Sequence, residues 1–299
     1  MTQARLAPNR SGYWAGLCVG VESTPAQVLR LELSRAHGGP HIWTRRTHSF
    51  RLACSPAPPS RPPSRGTWRP WVRRMTGAAV ADLSTIREVR RAAAEIRERL
   101  DRVDTLMNNA GGTFPTKRIE TEEGFELSFV LQYLSRHVLT EELIDVLRAS
   151  DDPIVMTTAG GGTHFDRDID LDDLQSKRDY GRFRLISKAG ILGDLHTHEQ
   201  AKHHEGIAFI NFGPGLVRTN TTMGTTMSRA FFQTIGRLFT RSPEEAGAEL
   251  AELAAGGYEG GYYGRGLVRN VPDWTQADSE RASELWDRTE RLLGELNRR

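Results

Sequence analysis

Lys188 stands in RLISKAG (184–190), an apolar, small-residue stretch with Arg184 one helical turn before it. A lysine so placed either meets a ligand or is a solvated helix cation. Three short apolar runs end in polar, glycine-bearing turns: DTLMNNAGG (104–112), PIVMTTAGGG (153–162) and IAFINFGPG (207–215). Turns of this kind at strand ends can wall a single binding site. HTHEQAKHH (196–204) carries four histidines, and Glu199 with His203 has the four-residue spacing of a helical metal pair. A solvated polar face on an outer helix accounts for it more simply, and no metal is expected.

The elements that must position these residues follow from periodicity. Ile86, Val89, Ala93, Ile96 and Leu100 recur at helical spacing behind Ser84, which reads as an N-cap. A long helical pattern runs from Glu122 to Ala149, another from Leu185 to His203, and SPEEAGAELAELAA opens with Ser242 as N-cap and Pro243 at the first helical position. Short strands alternating with helices predict an α/β class, a doubly wound parallel sheet covered on both faces. Ligands in such sheets gather outside the carboxyl ends of the strands, where the three turns fall.

Composition is that of a globular protein, with a formal net charge of +2. The charge is unevenly spread: residues 1–80 carry twelve arginines and two acids, and nine of the fourteen prolines. SPAPPSRPPSRGTWRP (55–70) cannot hold a helix or a central strand, because proline removes amide donors and fixes φ. The chain therefore divides into an atypical segment over 1–75 and one α/β domain over 76–299. No apolar run is long enough to span a membrane and no signal peptide is legible, so a cytoplasmic location is expected. Two cysteines, Cys18 and Cys54, give neither a disulfide framework nor a paired metal motif. The basic arm has no recognisable nucleic-acid module, and charge alone supports only weak association.

Asn108-Asn109-Ala110-Gly111 and Pro214-Gly215-Leu216-Val217-Arg218-Thr219 resemble the NNAG and PG-x-V-x-T turns of the short-chain dehydrogenase/reductase family. VADLS, with Asp82, is similar to the family's aspartate beside the adenine ring, and Ser187-Lys188 to the SK of its active-site helix. The C-terminal SPEEAGAELAELAAGGYEGGYYGRG resembles the retinol-dehydrogenase-like branch. The matches cover residues 77–299 and imply that the domain over 76–299 is Rossmann-like. They imply NAD or NADP as cofactor, held by Asp82, Asn108, Ala110, Gly111, Lys188, Pro214, Gly215 and Thr219. The implied reaction is hydride transfer to or from a small carbonyl or alcohol, with a homo-oligomer compatible with the resemblance. A phenol near pKa 10 is too weak an acid for this chemistry unless a cation stabilises its phenolate, and in the family a lysine does so in Y-x-x-x-K.

Here the tyrosine position is Arg184, which cannot release a proton at working pH. The serine position is Ala159 and the asparagine position is Gln132. Two substitutes offer themselves. Tyr180-x-x-x-Arg184 would keep a phenol one turn from a cation, and Thr158 would offer a hydroxyl. Lys188 retains the role of gripping the nicotinamide ribose. The glycine-rich turn that opens the family's first crossover has no match in SGYWAGLCVGVES, where Gly12, Gly16 and Gly20 have the wrong spacing. TPAQVLRLELSRAHGGPHIWTRR reads as a helix followed by a short strand, a remnant of that crossover. The segment over 1–75 is either a divergent arm or read out of frame; 36 arginines against four lysines fit GC-rich coding DNA. Arg45 and Arg46 would favour a 2′-phosphate, hence NADP. Met223, Met227, Phe231 and Phe232 suggest an apolar substrate. The alternative function is a catalytically silent relative that binds a nucleotide or a protein.

Overall fold

The computed structural model describes residues 81–111, 114–162, 169–217 and 241–298 with their side chains. Before residue 81 it describes the backbone of five strands: β1 (Tyr13–Val21), β2 (Leu29–His37), β3 (Ile42–Arg46), β4 (Ser49–Ala53) and β5 (Gly77–Ala81). There follow α1 (Ile86–Arg99), β6 (Thr105–Asn108), α2 (Leu127–Phe129), a π-helical turn (Val130–Leu134), α3 (Ser135–Glu142) and α4 (Ile144–Arg148). The remainder is β7 (Ile154–Thr158), α5 (Arg182–His203), β8 (Ala208–Phe212), α6 (Pro243–Ala254), β9 (Gly261–Tyr263), β10 (Arg269–Asn270) and α7 (Gln276–Leu296). Thr219, Met223, Met227, Phe231, Phe232 and the proline-rich run at 55–70 lie outside the described residues.

The main sheet has the order β10-β9-β8-β7-β6-β1-β2-β5, and β3 with β4 forms a separate hairpin. β1, β6, β7, β8 and β9 are parallel, as the alternation of strands and helices requires. On the other side β2 enters antiparallel to β1. The helix expected over this stretch is therefore a strand. Leu29, Leu31 and Leu33 alternate with Arg30, Glu32 and Ser34, a period of two that belongs to strands. Gly16 and Gly20 lie inside β1 rather than in a turn, so they form no phosphate loop.

Both faces of the sheet are covered. Met107, Ile154, Met156, Ile210 and Phe212 pack against Leu250, Leu253 and Ala254 of α6. Leu106, Val155 and Phe209, one residue out of phase, meet α1, α3, α5 and α7 on the other side. All five apolar positions expected to face inward from α1 and its end are buried. Its cap differs from expectation: Thr85 is the N-cap and its side chain accepts no cap hydrogen bond. The Glu123 carboxylate, from the loop before α2, instead accepts from Ile86 N (2.6 Å) and Arg87 N (3.1 Å). That arrangement supplies acceptor and negative charge together at a helix start. At α6 the sequence reading holds, with Ser242 and Glu245 forming a reciprocal capping box and Pro243 in the first turn.

Helix α5 was expected to carry a solvated histidine face. Part of that face is interior instead, because α7 lies over it: His196 and His204 are buried and His198 is half-buried, while His203 is exposed. His196 is buried and meets His137 Nδ1 at 3.0 Å, and His137 Nε2 meets Glu290 at 2.8 Å. His198 stacks on Trp274, His203 stacks on Trp286, and His204 bonds to Glu141. Glu199 Oε1 lies 3.5 Å from His203 Nε2, and each of the other histidines has a partner elsewhere. Among the described residues no helix is long and apolar enough to cross a membrane.

Candidate functional site

Parallel pairing brings the strand ends abreast. Asn108 pairs with Thr157, and Thr157 with Asn211, so the three glycine-bearing turns leave the same edge of the sheet side by side. Asn108 is fully buried and directs its amide Nδ2 to Thr140 Oγ1 (3.1 Å), fixing the end of β6 to α3. Its neighbour Asn109 accepts the Thr158 hydroxyl at 2.8 Å, a bond between the first turn and the second. Ala110 is buried and offers its carbonyl to Arg136 Nη2 at 2.7 Å. Gly111 has φ +152, and a Cβ there would collide with Gln132 Oε1 and stand 2.8 Å from Arg136 Nη2. Only glycine lets both side chains approach this turn.

Arg136 joins the turns. Its Nη1 donates to Thr158 O (3.0 Å), while Nη2 donates to Ala110 O and to Gln132 Oε1 (3.3 Å). Arg136 is 5% exposed. Burial pushes its guanidinium down to about 10, and its Nε has no hydrogen-bond partner among the described residues. Gln132 stands in the π-helical turn between α2 and α3, a device that often marks functional sites. Sequence reasoning missed Arg136. The signal was its spacing: it follows Gln132 by four residues and so shares its helix face.

The second and third turns interlock through glycine. A Cβ on Gly161 (φ +62) would lie 2.6 Å from Gly213 N, and one on Gly213 would lie 2.6 Å from Gly160 O. Gly161 N donates to Asn211 Oδ1 (2.8 Å), and Gly162 N to Asp194 Oδ1 (3.0 Å) on α5. Pro214 is half-buried, whereas Gly215 (φ +69) is exposed and a Cβ there would meet nothing within 4 Å. Asp82, just beyond β5, accepts from Ser84 N at 2.9 Å in a turn leading to α1.

The hydrogen bonds of Lys188 and Tyr180 go to partners outside this cluster. Lys188 donates to Asp173 O (2.6 Å) and Ser176 Oγ (2.8 Å), outside the strand-end turns. Burial holds its ammonium below the usual lysine value. Asp173 in turn accepts from Lys177 N (2.7 Å), Arg178 N (3.2 Å) and Asp179 N (3.2 Å), while Ser176 is held at φ 49. Tyr180 precedes α5, whose N-cap is Gly181, so it has no helical register with Arg184. Its hydroxyl donates to Pro115 O (3.0 Å) and Lys117 O (2.9 Å), and burial raises it further above 10. Arg184 pairs with Asp179 at the surface. Of the expected catalytic residues only Thr158 remains at the strand ends. Ala159, where a serine was sought, faces Gly193 of α5 so closely that a Cβ on Gly193 would come within 2.6 Å of Ala159 Cβ.

No family model matches the chain. Human retinol dehydrogenase 13 is 31% identical over 224 residues, covering 71% of this chain and 67% of its own length. The chain belongs to the short-chain dehydrogenase/reductase family. Human retinol dehydrogenase 14 is 29% identical over 224 residues, 72% of this chain and 66% of its own length, so the family match spans about two thirds of these relatives. A solved protein of Mycobacterium paratuberculosis superposes with a TM-score of 0.52 at 22% identity, over 71% of this chain and 73% of that one, which is a likeness of fold. As a member of the family, the chain is homologous to NAD(P)-dependent oxidoreductases.

The cofactor that a short-chain dehydrogenase/reductase implies can be tested against these residues. The three turns present Thr158, Asn109, the backbone of Gly111 and the open Gly215, a neutral donor and acceptor set that fits ribose hydroxyls and a carboxamide. Asn109 Oδ1 accepts the Thr158 hydroxyl, and among the described residues its amide nitrogen makes no hydrogen bond. At the pyrophosphate end the chain supplies no glycine-rich turn after β1, where Val21 is followed by ESTPAQV.

Proposed function

We propose that this protein binds NAD or NADP across the carboxyl ends of β6, β7 and β8, and that the proton relay of its family is dismantled in it. Asn109, Gly111, Thr158, Pro214 and Gly215 hold the nicotinamide half, and Asp82 lies toward the adenine. When bound, the cofactor supplies hydride exchange with carbon. What the chain must add is a proton at oxygen. The observation that carries the proposal is the disposition of Lys188. Its ammonium is committed to Asp173 O and Ser176 Oγ, the residue four before it is an arginine, and Tyr180 Oη faces two backbone carbonyls. The Tyr180 phenol is therefore bonded to neither Lys188 nor Arg184, and burial raises it away from the working range. The protein acts in the cytoplasm, on this reading, as a dinucleotide-binding relative built on the domain at 76–299.

A second reading is favoured by Thr158, whose half-buried hydroxyl sits at the strand ends with the Arg136 guanidinium bonded to its carbonyl. Here the protein reduces an apolar carbonyl slowly, with Thr158 orienting the substrate oxygen and solvent supplying the proton. Fluorescence titration of the full chain with NADH and NADPH tests binding, and saturable binding of at least one is expected. A carbonyl panel followed by loss of reduced nicotinamide then separates the readings. Turnover lost in Thr158→Val but kept in Tyr180→Phe and Lys188→Ala supports the second. Turnover that disappears in Tyr180→Phe or Lys188→Ala while binding persists refutes both. Absence of dinucleotide binding removes the proposal altogether.

A further inference from the structure

We infer that Arg136 makes this site discriminate between the two redox states of the dinucleotide, favouring the reduced form. The inference rests on the binding site proposed above.

Oxidised and reduced nicotinamide dinucleotides share the same phosphates, riboses and adenine, and differ in one unit of charge on the nicotinamide ring. The oxidised ring is cationic; the reduced ring is neutral. A fixed charge near the ring therefore weighs one form against the other and leaves the rest of the binding energy unchanged. Arg136 is such a charge. It is bonded to the carbonyls of Ala110 and Thr158, and hence to both turns assigned to the nicotinamide half. It is almost fully buried, where a charge acts through less solvent than at the surface.

The surroundings do not neutralise it. Its partners are two backbone carbonyls and the Gln132 amide, and no carboxylate among the described residues lies against it. Asp194, the buried carboxylate on this edge, is turned to Gly162 N and Asn211 Nδ2 on the β7–β8 side. His196 is kept neutral by burial and by the neighbouring His137 and Arg136. Burying a lone guanidinium is costly, and the two carbonyls with Gln132 offset only part of that cost, since Nε stays unpaired. A cationic ring brought to the same turns adds a second like charge. A neutral one does not.

The test is isothermal titration of the full chain with NADPH, NADP⁺, NADH and NAD⁺ at one fixed ionic strength. The expected result is a preference of about tenfold for the reduced member of whichever pair binds, equivalent to ~1.4 kcal/mol. In Arg136→Gln and Arg136→Met the preference should fall below about twofold, because the charge is gone. In Arg136→Lys it should largely persist, since lysine keeps a charge while losing the bridge to both carbonyls. Circular dichroism establishes that each variant is folded. If neither neutral variant folds, Arg136→Lys decides, because a preference lost there is due to the bridge and not to the charge. Equal affinity for the two redox states in the parent chain overturns the inference and leaves the binding reading intact, as does a preference that survives in a folded neutral variant. Failure to bind any of the four nucleotides removes both.

Discussion

Replacing Gly111 by alanine should destabilise the protein through two separable effects. The first is conformational: φ +152 is a region L side chains rarely adopt, and holding one there costs about 1–3 kcal/mol. The second is steric: the new methyl would collide with Gln132 Oε1 and press on Arg136 Nη2 at 2.8 Å. Free side chains could swing away, but these two are pinned by bonds to each other, to Ala110 O and to Thr158 O. Moving them breaks at least one charge-assisted hydrogen bond, worth about 1.5–3 kcal/mol. The sum is about 2.5–6 kcal/mol. Gly206 supplies the control, because it also has positive φ (+85) yet a Cβ there meets nothing within 4 Å. Gly206→Ala should cost only about 1–2 kcal/mol. Urea unfolding of both variants, with the denaturant slope checked for constancy, measures the difference. Equal losses at the two positions would refute the claim that Gln132 and Arg136 fix the first turn from above.

Two further outcomes are expected. His196 has its pKa held well below the ordinary histidine value, chiefly by burial and then by His137. The folded state therefore binds fewer protons than the unfolded chain below about pH 6.5, so its stabilising contribution is complete above that pH and is lost as pH falls, at ~1.4 kcal/mol per pH unit. Urea midpoints from pH 8 to 5 should fall on the acid side, and His196→Phe should flatten the decline; an unchanged slope in that variant would count against the buried seam. Lys188→Met should leave two acceptors unmet and loosen residues 173–179, at a cost of about 1–3 kcal/mol. Hydrogen exchange should show faster opening at Lys177, Arg178 and Asp179, with dinucleotide affinity unchanged, whereas a large loss of affinity would place the amine at the cofactor after all.

The sheet and its covering helices were legible because their signals are local and redundant. Ile86, Val89, Ala93 and Ile96 repeat at helical spacing, Ser242-Pro243 opens α6 in the expected way, and three strands end in glycine where the crossovers must turn. Stretches with a weaker signal misled. Leu29, Leu31 and Leu33 were read within a helix although their period is two, and HTHEQAKHH was read as solvated because nothing in it announces that α7 lies across it. The site was legible in its backbone and not in its side chains. Asn109, Gly111 and Thr158 are placed by strand register, which sequence conveys. Where Lys188 and Tyr180 point depends on the loop between Leu171 and Gly181, whose fold is set by Asp173 accepting three amides and by Ser176 at positive φ. Such side-chain to backbone closures leave no periodic trace. The buried guanidinium of Arg136 was hidden for a related reason: an arginine on a helix reads as surface until the carbonyls that receive it are known.

The commitment of Lys188 bears on any attempt to install the family's Y-x-x-x-K pair here. Installing a tyrosine at position 184 would set a phenol beside an amine that is already tethered, so the pair would need Ser176 and the Asp173 carbonyl to let go before it could cooperate. A hydroxyl at position 159 would have to be accommodated where Gly193 of α5 meets the turn after β7, a fit that depends on residue 193 remaining glycine. Fitting the family's tyrosine and serine into this chain is thus a problem of several linked changes rather than of single substitutions.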